Sequence, residues 1–492
     1  MRKIAYFLSF LFLLSGSTFG QEILTLEEFI KTSITSHPRY RISAQEYLIA
    51  LETNKSEKSI EDWNLIVSAV FQEATPAPLS AISADYQKST GYSVGVKRYL
   101  AQTGTDIKLE HRNTRITAKY PSLSIPGVDP SLFYPDSPYY ISDLSLTITQ
   151  PLLQNAFGLH KKNRIKIADY SLDLAQIKLG EDWEDFITGL RQEYLDWQRC
   201  HLNVKIFRDK VKTVENQMDL VKKQIRYGLS EELEMVQIRQ KLQSYNILLE
   251  QAKMACETQT KRIIRIMGKP ELKAEAVQPQ ELAESSEVYP ETSSLSYLNQ
   301  NSNLRRTADL LVLIQETNLE TKSDEELLDM KLSAQYRPNA YAKGFGESLS
   351  RIGDQSEYTI TLNASRDLPN QKAEAEASKA EEEYRKALKE KEDVLLNAEI
   401  SLSNLYTNLH YLNRMLELNQ NNLKLAKERL SLEQKKFNQG RSSIFFVLQA
   451  EDDLLQAEST RYETIFAREK VINQIKSFTD RYLAEYESVL KL

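Results

Sequence analysis

Two very long helical patterns constrain this chain more than any other feature of its sequence. They run from Asn163 to Tyr227 and from Gln371 to Asn438, with apolar residues that recur every three or four positions, the period of an amphipathic α-helix. At a rise of about 1.5 Å per residue, each helix would be about 100 Å long. Helices of that length cannot fit inside a globular core, so we expect them to pack side by side as coiled coils.

Each long pattern ends at a glycine and is followed by a return helix. Gly228 and Gly440 suit the C-terminal end of a helix, and Ser230 suits the N-cap of the next one. The whole chain has only 15 Gly and 14 Pro among 492 residues, which favours long elements with few turns. The sequence therefore predicts two antiparallel helical hairpins.

Between the helical segments the apolar period changes to two, which is typical of strands with one apolar and one polar face. Four such segments lie between residues 63 and 149, and two lie between about 327 and 367. The positions expected on the apolar face are Leu65, Val67, Ala69, Phe71, Tyr92, Val94, Val96, Ile107, Leu109, Leu144, Leu146, Ile148, Leu332, Ala334, Tyr336, Tyr358, Ile360 and Leu362.

The two halves of the chain follow the same plan. An offset of 212 residues places Gly228 on Gly440, and it also matches Ser230 with Ser442, Gln237 with Gln449 and Leu242 with Leu454. We interpret this as two internal repeats, although two generic coiled coils can also align by chance. The predicted parts are a signal peptide (1–20), a first repeat (21–267, with strands at about 63–149 and a helical hairpin at about 155–267), a polar connector (268–294) and a second repeat (295–492, with strands at about 327–367 and a hairpin at about 371–490).

The N-terminus has the layout of a secretory signal peptide. Arg2 and Lys3 precede the apolar run Ile4–Leu14, and Thr18-Phe19-Gly20 fits a cleavage site of small residues. A membrane anchor is the alternative, but the run has about half of the ~20 residues that a spanning helix needs. If the mature protein enters a bilayer, we expect it to do so as a closed β-barrel.

Composition and motifs argue against several classes of function. The net charge of −6 disfavours nucleic-acid binding, which requires a basic surface. The segment from Gly91 to Gly95 matches G-x-S-x-G, but it lies within an alternating strand rather than at a strand-to-helix turn. With only two Cys and five scattered His, we predict no enzyme activity, no metal site and no cofactor. Cys200 and Cys256 lie 28 residues to either side of Gly228 and are expected to face each other as two buried thiols. A disulfide between them is the alternative, because export makes one permissible.

Several of these segments together resemble the TolC-type outer-membrane efflux proteins. Gln150-Pro151-Leu152-Leu153 with Phe157-Gly158 is similar to that family's strand-to-helix junction, and Leu368-Pro369 is a weaker second copy. The segments 226–230 and 437–443 resemble its hairpin tips, and 447–451 and 454–458 resemble its return helix. The resemblance extends over nearly the whole mature chain.

The resemblance implies a mainly α fold with a membrane β-barrel. It implies a homotrimer in which each protomer gives four strands to a 12-stranded barrel and its long helices to a periplasmic α-barrel. The strand pair at Tyr92–Tyr99 and Thr105–Arg115 departs from that count, as an added hairpin or an extended barrel strand. The implied protein lies in the outer membrane, extends into the periplasm and is a passive exit duct of a tripartite efflux or type I secretion system. Its partners would be outer-membrane lipid, a periplasmic adaptor and an inner-membrane pump of the RND, ABC or MFS type.

The resemblance also assigns roles to the hairpin ends. The adaptor-docking tips would be Arg226, Tyr227, Gly228, Leu229, Ser230, Gly440, Arg441, Ser442 and Ser443. In the family, acidic residues just past the tip often ring a constriction, and Phe446 and Gln449 occupy those positions here, with Glu234 near the first tip. We expect an apolar constriction, unless Phe446 belongs to the coiled-coil core. The alternative function is a secreted periplasmic coiled-coil adaptor or structural protein without a pore.

Overall fold

A computed structural model describes residues 22–486, apart from 77–82, 122–133, 135, 229 and 283–288. The predicted signal peptide at 1–20 lies outside the described residues. The described chain is mostly helical, with six long strands and two short ones. None of the helices within the described ranges combines the length and the apolarity needed to cross a lipid bilayer.

The N-terminal segment contains a short strand and two helices. Strand β1 (Glu22–Leu24) precedes α1 (Leu26–Ser36) and α2 (Pro38–Lys58). The two helices are separate, because the backbone is extended at His37. The cause is local, since the ring of a proline disfavours helical geometry in the residue before it.

The remaining elements are four strands, a long hairpin, a connection of one short strand and two helices, two further strands with a short helix between them, and a second long hairpin followed by a short helix. They are β2 (Asn64–Ala74), β3 (Tyr86–Leu100), β4 (Thr105–Lys119), β5 (Tyr139–Pro151), α3 (Leu159–Arg226), α4 (Glu232–Ile266), β6 (Val277–Pro279), α5 (Glu291–Gln300), α6 (Asn303–Glu325), β7 (Asp329–Ala342), α7 (Phe345–Ser350), β8 (Gln355–Ser365), α8 (Gln371–Asn438), α9 (Ile444–Phe478) and α10 (Arg481–Tyr486).

The two hairpins have equal dimensions. Helices α3 and α8 each have 68 residues, and α4 and α9 each have 35. All four pairs of helix ends differ by 212 residues, which is the offset found in the sequence. The origin of the two halves as copies of one module stays a prediction.

The chain divides into two compact units. The first comprises the described residues of Met1–Glu46, Ile177–Arg305 and Leu395–Leu492. Its largest core packs Phe29, Trp197, Ile263 and Tyr482 together. Strand β6 pairs in parallel with β1, with Val277 opposite Glu22. The predicted connector therefore contains a strand, which its polar composition did not indicate.

The second unit, Tyr47–Gln176 and Arg306–Val394, contains one antiparallel sheet in the order β2-β3-β4-β5-β7-β8. The expected number of four strands is wrong for this chain, because the sheet has six. The hairpin of β3 and β4 is fully hydrogen-bonded to β2 on one side and to β5 on the other. It is therefore an insertion within the sheet and not an appendage.

The strand register separates an apolar face from a polar face. One row of paired residues crosses all six strands on the apolar face: Leu65, Val96, Leu109, Leu146, Tyr336 and Tyr358. A neighbouring row crosses them on the opposite face: Asn64, Lys97, Lys108, Thr147, Gln335 and Thr359. The alternation predicted from sequence is thus confirmed, and the pairing aligns it across the whole sheet.

Candidate functional site

The first hairpin end is a tight turn between α3 and α4. Gly228 has φ of +70°, a left-handed conformation that suits glycine, and its amide bonds to the carbonyl of Ile225 at 3.0 Å. Arg226 and Tyr227 are exposed, Tyr227 to 80%. Leu229 lies outside the described residues.

The second hairpin end, between α8 and α9, has a comparable geometry. Gly440 has φ of +67°, and the amide of Arg441 bonds back to the carbonyl of Lys436 at 2.9 Å, as in a Schellman cap. Ser443 is the N-cap of α9, and its hydroxyl accepts from the amide of Phe445 at 3.2 Å. Both glycines have open space where a Cβ would lie, so backbone conformation alone selects glycine there.

A small charged cluster supports the second turn. Lys436 donates to Glu433 at 3.0 Å, and the hydroxyl of Ser442 donates to the same carboxylate at 3.2 Å. The hydrogen bond from Lys436 lowers the pKa of Glu433 below its usual value. Arg441 is exposed beside this cluster. The turn therefore presents an exposed guanidinium beyond a paired carboxylate.

Glu234 joins the two hairpin ends. Its carboxylate accepts from the hydroxyl of Ser230 and, at 3.3 Å, from the backbone amide of Ile444 at the start of α9. A carboxylate at the N-terminus of a helix interacts favourably with the helix dipole. Ser230 is not the N-cap predicted from sequence, because Glu231 holds that position. Its hydroxyl orients Glu234 instead.

An apolar core lies behind the two turns. It is formed by all four long helices and holds both hairpins in one body. Its buried members are Val214, Val221, Met235, Ile238, Tyr245, Phe437, Ile444, Val447 and Leu448.

The three predicted constriction residues differ in exposure. Phe446 is 52% exposed and Gln449 is also exposed. They lie three positions apart on α9, on the same helical face. Phe446 is not part of the buried core of the single chain. Glu234 is half-buried, and its carboxylate accepts a hydrogen bond from the amide of Ile444. Its exposure therefore differs from that of Phe446 and Gln449.

Two further residues at this end were not assigned to the site in the sequence analysis. Phe445 is 51% exposed and packs edge-on against Phe446, with ring centroids 5.5 Å apart. Gln237 corresponds to Gln449 at the 212-residue offset, but it is half-buried and its amide oxygen has no hydrogen-bond partner in the described chain. The offset itself was the signal that could have identified Gln237.

The G-x-S-x-G segment lies in the middle of strand β3. Ser93 bonds to the hydroxyl of Ser68 at 2.7 Å and donates to Glu110 at 2.9 Å. A hydrolase elbow instead places its serine at a sharp turn between a strand and a helix. This segment therefore has no nucleophile geometry.

Comparisons with known proteins give a family-model match within the second half of the chain and show the fold of the described chain. Residues 328–464 match the family model for outer membrane efflux proteins. The fold is shared with VceC of Vibrio cholerae (14% identity, TM-score 0.67, 92% of this chain and 96% of VceC). It is also shared with CusC (12% identity, TM-score 0.68, 92% and 91%) and with the outer membrane channel MtrE of Neisseria gonorrhoeae (11% identity, TM-score 0.65, 92% and 88%). No similar sequence was found among the curated proteins. These findings confirm the resemblance to TolC-type channels.

Proposed function

We propose, from the outer membrane efflux protein domain at residues 328–464 and the shared channel fold, that three copies of this chain form an exit duct in the outer membrane. The duct is a passive conduit of a tripartite efflux or type I secretion system. A periplasmic adaptor and an inner-membrane pump of the RND, ABC or MFS type supply recognition and energy. The chain itself performs no catalysis.

The observation that carries this proposal is the apolar row across the six-stranded sheet. Its members are all partly or well exposed in the single chain, and the edge residues Leu65 and Tyr358 are 67% and 75% exposed. An apolar sheet face with a polar opposite face suits lipid on one side and water on the other. The free edges of β2 and β8 require partners, because an open edge is not tolerated in lipid.

A barrel closed by three six-stranded sheets would be wider than the family resemblance implies. Three six-stranded sheets give 18 strands in place of the 12 implied by the family resemblance. Barrel diameter rises roughly in proportion to strand number, and barrels of 16–18 strands leave an aqueous channel. We therefore expect a wider pore through the membrane than four strands per chain would give.

The long helices also support assembly from several copies. Helix α8 has an exposed apolar seam at intervals of seven residues, formed by Tyr411, Leu418, Leu425 and Leu432. This spacing is the heptad repeat of coiled coils. The seam lies apart from the buried residues Leu402, Leu409 and Leu423 of the same helix. It is suited to a helix of a neighbouring protomer.

The hairpin ends are proposed to close the duct and to dock the adaptor. Phe446 and Gln449 form the constriction, an apolar ring with an amide ring beside it. Exposed Tyr227, Arg226 and Arg441 face the adaptor, together with the glycine and serine positions of both turns. Glu234 fixes the second turn to the first through Ile444 and supports the constriction from behind.

Conductance in planar bilayers tests the conduit and its constriction together. We expect discrete channel openings from the wild-type protein. Phe446→Ala should have a larger resting conductance, because it removes the phenyl groups that narrow the constriction. Phe445→Ala is the matched control, since that residue has almost the same exposure on the adjacent helical face, and it should change conductance little.

Three results would contradict this proposal. If folded trimers show no channel activity, the protein is not a conduit. If the protein is a water-soluble monomer, a coiled-coil adaptor or structural protein is favoured instead. If Phe446→Ala leaves conductance unchanged while trivalent cations block the pore from the periplasmic side, the constriction is a carboxylate ring and not an apolar one.

A further inference from the structure

Cys200, His201 and Cys256 form a compact group of soft donor atoms in the first hairpin. Cys200 and His201 lie on α3 and Cys256 lies opposite them on α4. Their sulfur and ring-nitrogen ligand atoms lie within 4.8 Å of one another. Cys256 is buried and Cys200 is half-buried, and both are free thiols. The sequence analysis predicted no metal site, because the chain has only two Cys and five scattered His.

The surrounding residues hold this group in place and leave one ring nitrogen of His201 without a hydrogen-bond partner in the described chain. Trp197 is fully buried, donates its indole N–H to Thr260 at 2.9 Å and packs edge-on against the ring of His201. Thr260 in turn donates to the carbonyl of Cys256 at 2.8 Å. The Nε2 atom of His201 is buried without a hydrogen-bond partner in the described chain. A buried polar atom in that state is unfavourable unless it is satisfied by something else.

The second hairpin shows a different arrangement at the corresponding place. The 212-residue offset maps His201 to Asn413 and Cys256 to Arg468. There the guanidinium Nε of Arg468 donates to the side-chain oxygen of Asn413 at 2.7 Å. The two positions therefore face each other in both hairpins, and in the second an amide–guanidinium hydrogen bond joins them. In the first, three metal-binding side chains occupy the site.

We propose that Cys200, His201 and Cys256 bind one thiophilic divalent cation, of which Zn²⁺ is the representative. Thiolate and imidazole are the donors that this ion prefers. Two thiolates balance its charge, so the buried site is neutral when loaded, and the two thiol protons are released to solvent. A tetrahedral ion needs its ligand atoms about 3.5–3.8 Å apart. The ligand atoms here lie within 4.8 Å of one another, so side-chain rotations that move them by about 1 Å would reach that spacing.

The fourth coordination position has room for water. His201 and Cys256 line a cavity of about 730 Å³ within the first unit. Lys253 and Glu257 lie on the same wall, so the cavity is polar on this side. The ion would thus join α3 to α4 through three protein ligands and one exchangeable ligand. This role does not depend on assembly of the pore.

Cobalt substitution tests the site directly, because the two cysteines are the only thiols of the chain. The full-length protein is purified in detergent with a reductant, freed of metal and titrated with Co²⁺. We expect one equivalent to produce a thiolate-to-cobalt charge-transfer band and the intense ligand-field bands of tetrahedral cobalt, and Zn²⁺ to abolish both. His201→Ala should weaken binding at least about tenfold.

The controls separate loss of the site from loss of folding. His410→Ala changes an exposed histidine of α8 and should bind Co²⁺ like the wild type. Cys200→Ala and Cys256→Ser should each lose the two-thiolate spectrum, with helix content checked by circular dichroism. The proposal is overturned if the folded, reduced wild type gives no charge-transfer band, or if the band survives in both cysteine variants. A Cys200–Cys256 disulfide that forms without reductant even when Zn²⁺ is present would overturn it as well.

Discussion

At the scale of single residues, backbone conformation and short-range hydrogen bonds define the hairpin ends. Gly228 and Gly440 were identified from sequence because turn chemistry is local and a left-handed residue after a helix favours glycine. The contact of Glu234 with Ile444 was not, since it joins residues that are 210 positions apart. Ser230 was assigned as an N-cap because serine favours that position, but Glu231 occupies it. The hydroxyl of Ser230 instead donates to the carboxylate of Glu234, a contact that the sequence alone does not show.

Substitution of two glycines by alanine should have opposite effects. Gly440→Ala forces a Cβ into a left-handed conformation, which costs about 1 kcal/mol, and the amides of residues 439–441 should exchange hydrogen faster. Gly189→Ala lies within α3, in open space, and should stabilise its helix by about 0.5–1 kcal/mol. Hydrogen-exchange mass spectrometry on both variants measures the difference. Equal protection at the second turn in Gly440→Ala and the wild type would contradict the conformational argument.

At the scale of elements, periodicity predicted the long helices and the strand faces well. Both signals are repeated over many residues, so single exceptions do not obscure them. Short elements were missed because three to six residues carry no reliable period. Strand β6 and helix α7 are examples, and the pairing of β1 with β6 depends on residues 255 positions apart. The six alternating segments correspond to the six strands of the sheet, but alternation alone does not specify how they pair.

The packing of α10 on α3 places carboxyl groups in a buried position. Glu184 accepts from the amide of Leu483 at 2.9 Å, and its other oxygen has no partner in the described chain. Burial raises the pKa of Glu184 to about 8, and burial together with Asp480 raises that of Glu181 to about 7. In the unfolded chain both groups titrate near 4.5. The folded state therefore retains protons that the unfolded state releases.

This packing predicts that stability falls as pH rises between about 4.5 and 8, since only the folded state keeps these protons bound in that range. Glu184→Gln retains the acceptor for Leu483 and removes the ionisation. We expect a flatter pH dependence and a higher melting temperature than the wild type at pH 8 and above. Asp173→Asn, at an exposed position of α3, is the control. Melting followed by circular dichroism would contradict the argument if the slope of the variant matched that of the wild type.

At the scale of the whole molecule, single-chain features indicate that assembly completes the structure. The sheet has two free edges, its apolar face is exposed, and α8 carries a second apolar seam. Each of these is unfavourable for an isolated chain in water. In the proposed assembly, three copies would close one barrel and one bundle of helical hairpins and would remove all of them together. The substrate is not encoded in these features, because they concern the wall of the duct and not its cargo.

Electron cryomicroscopy of the detergent-purified protein, viewed along the pore axis, tests this account most directly. It predicts particles of three chains around an open lumen, with a closed sheet to which each chain gives six strands. A compact single chain without a lumen, or an assembly in which the sheet edges of β2 and β8 stay unpaired, would contradict it.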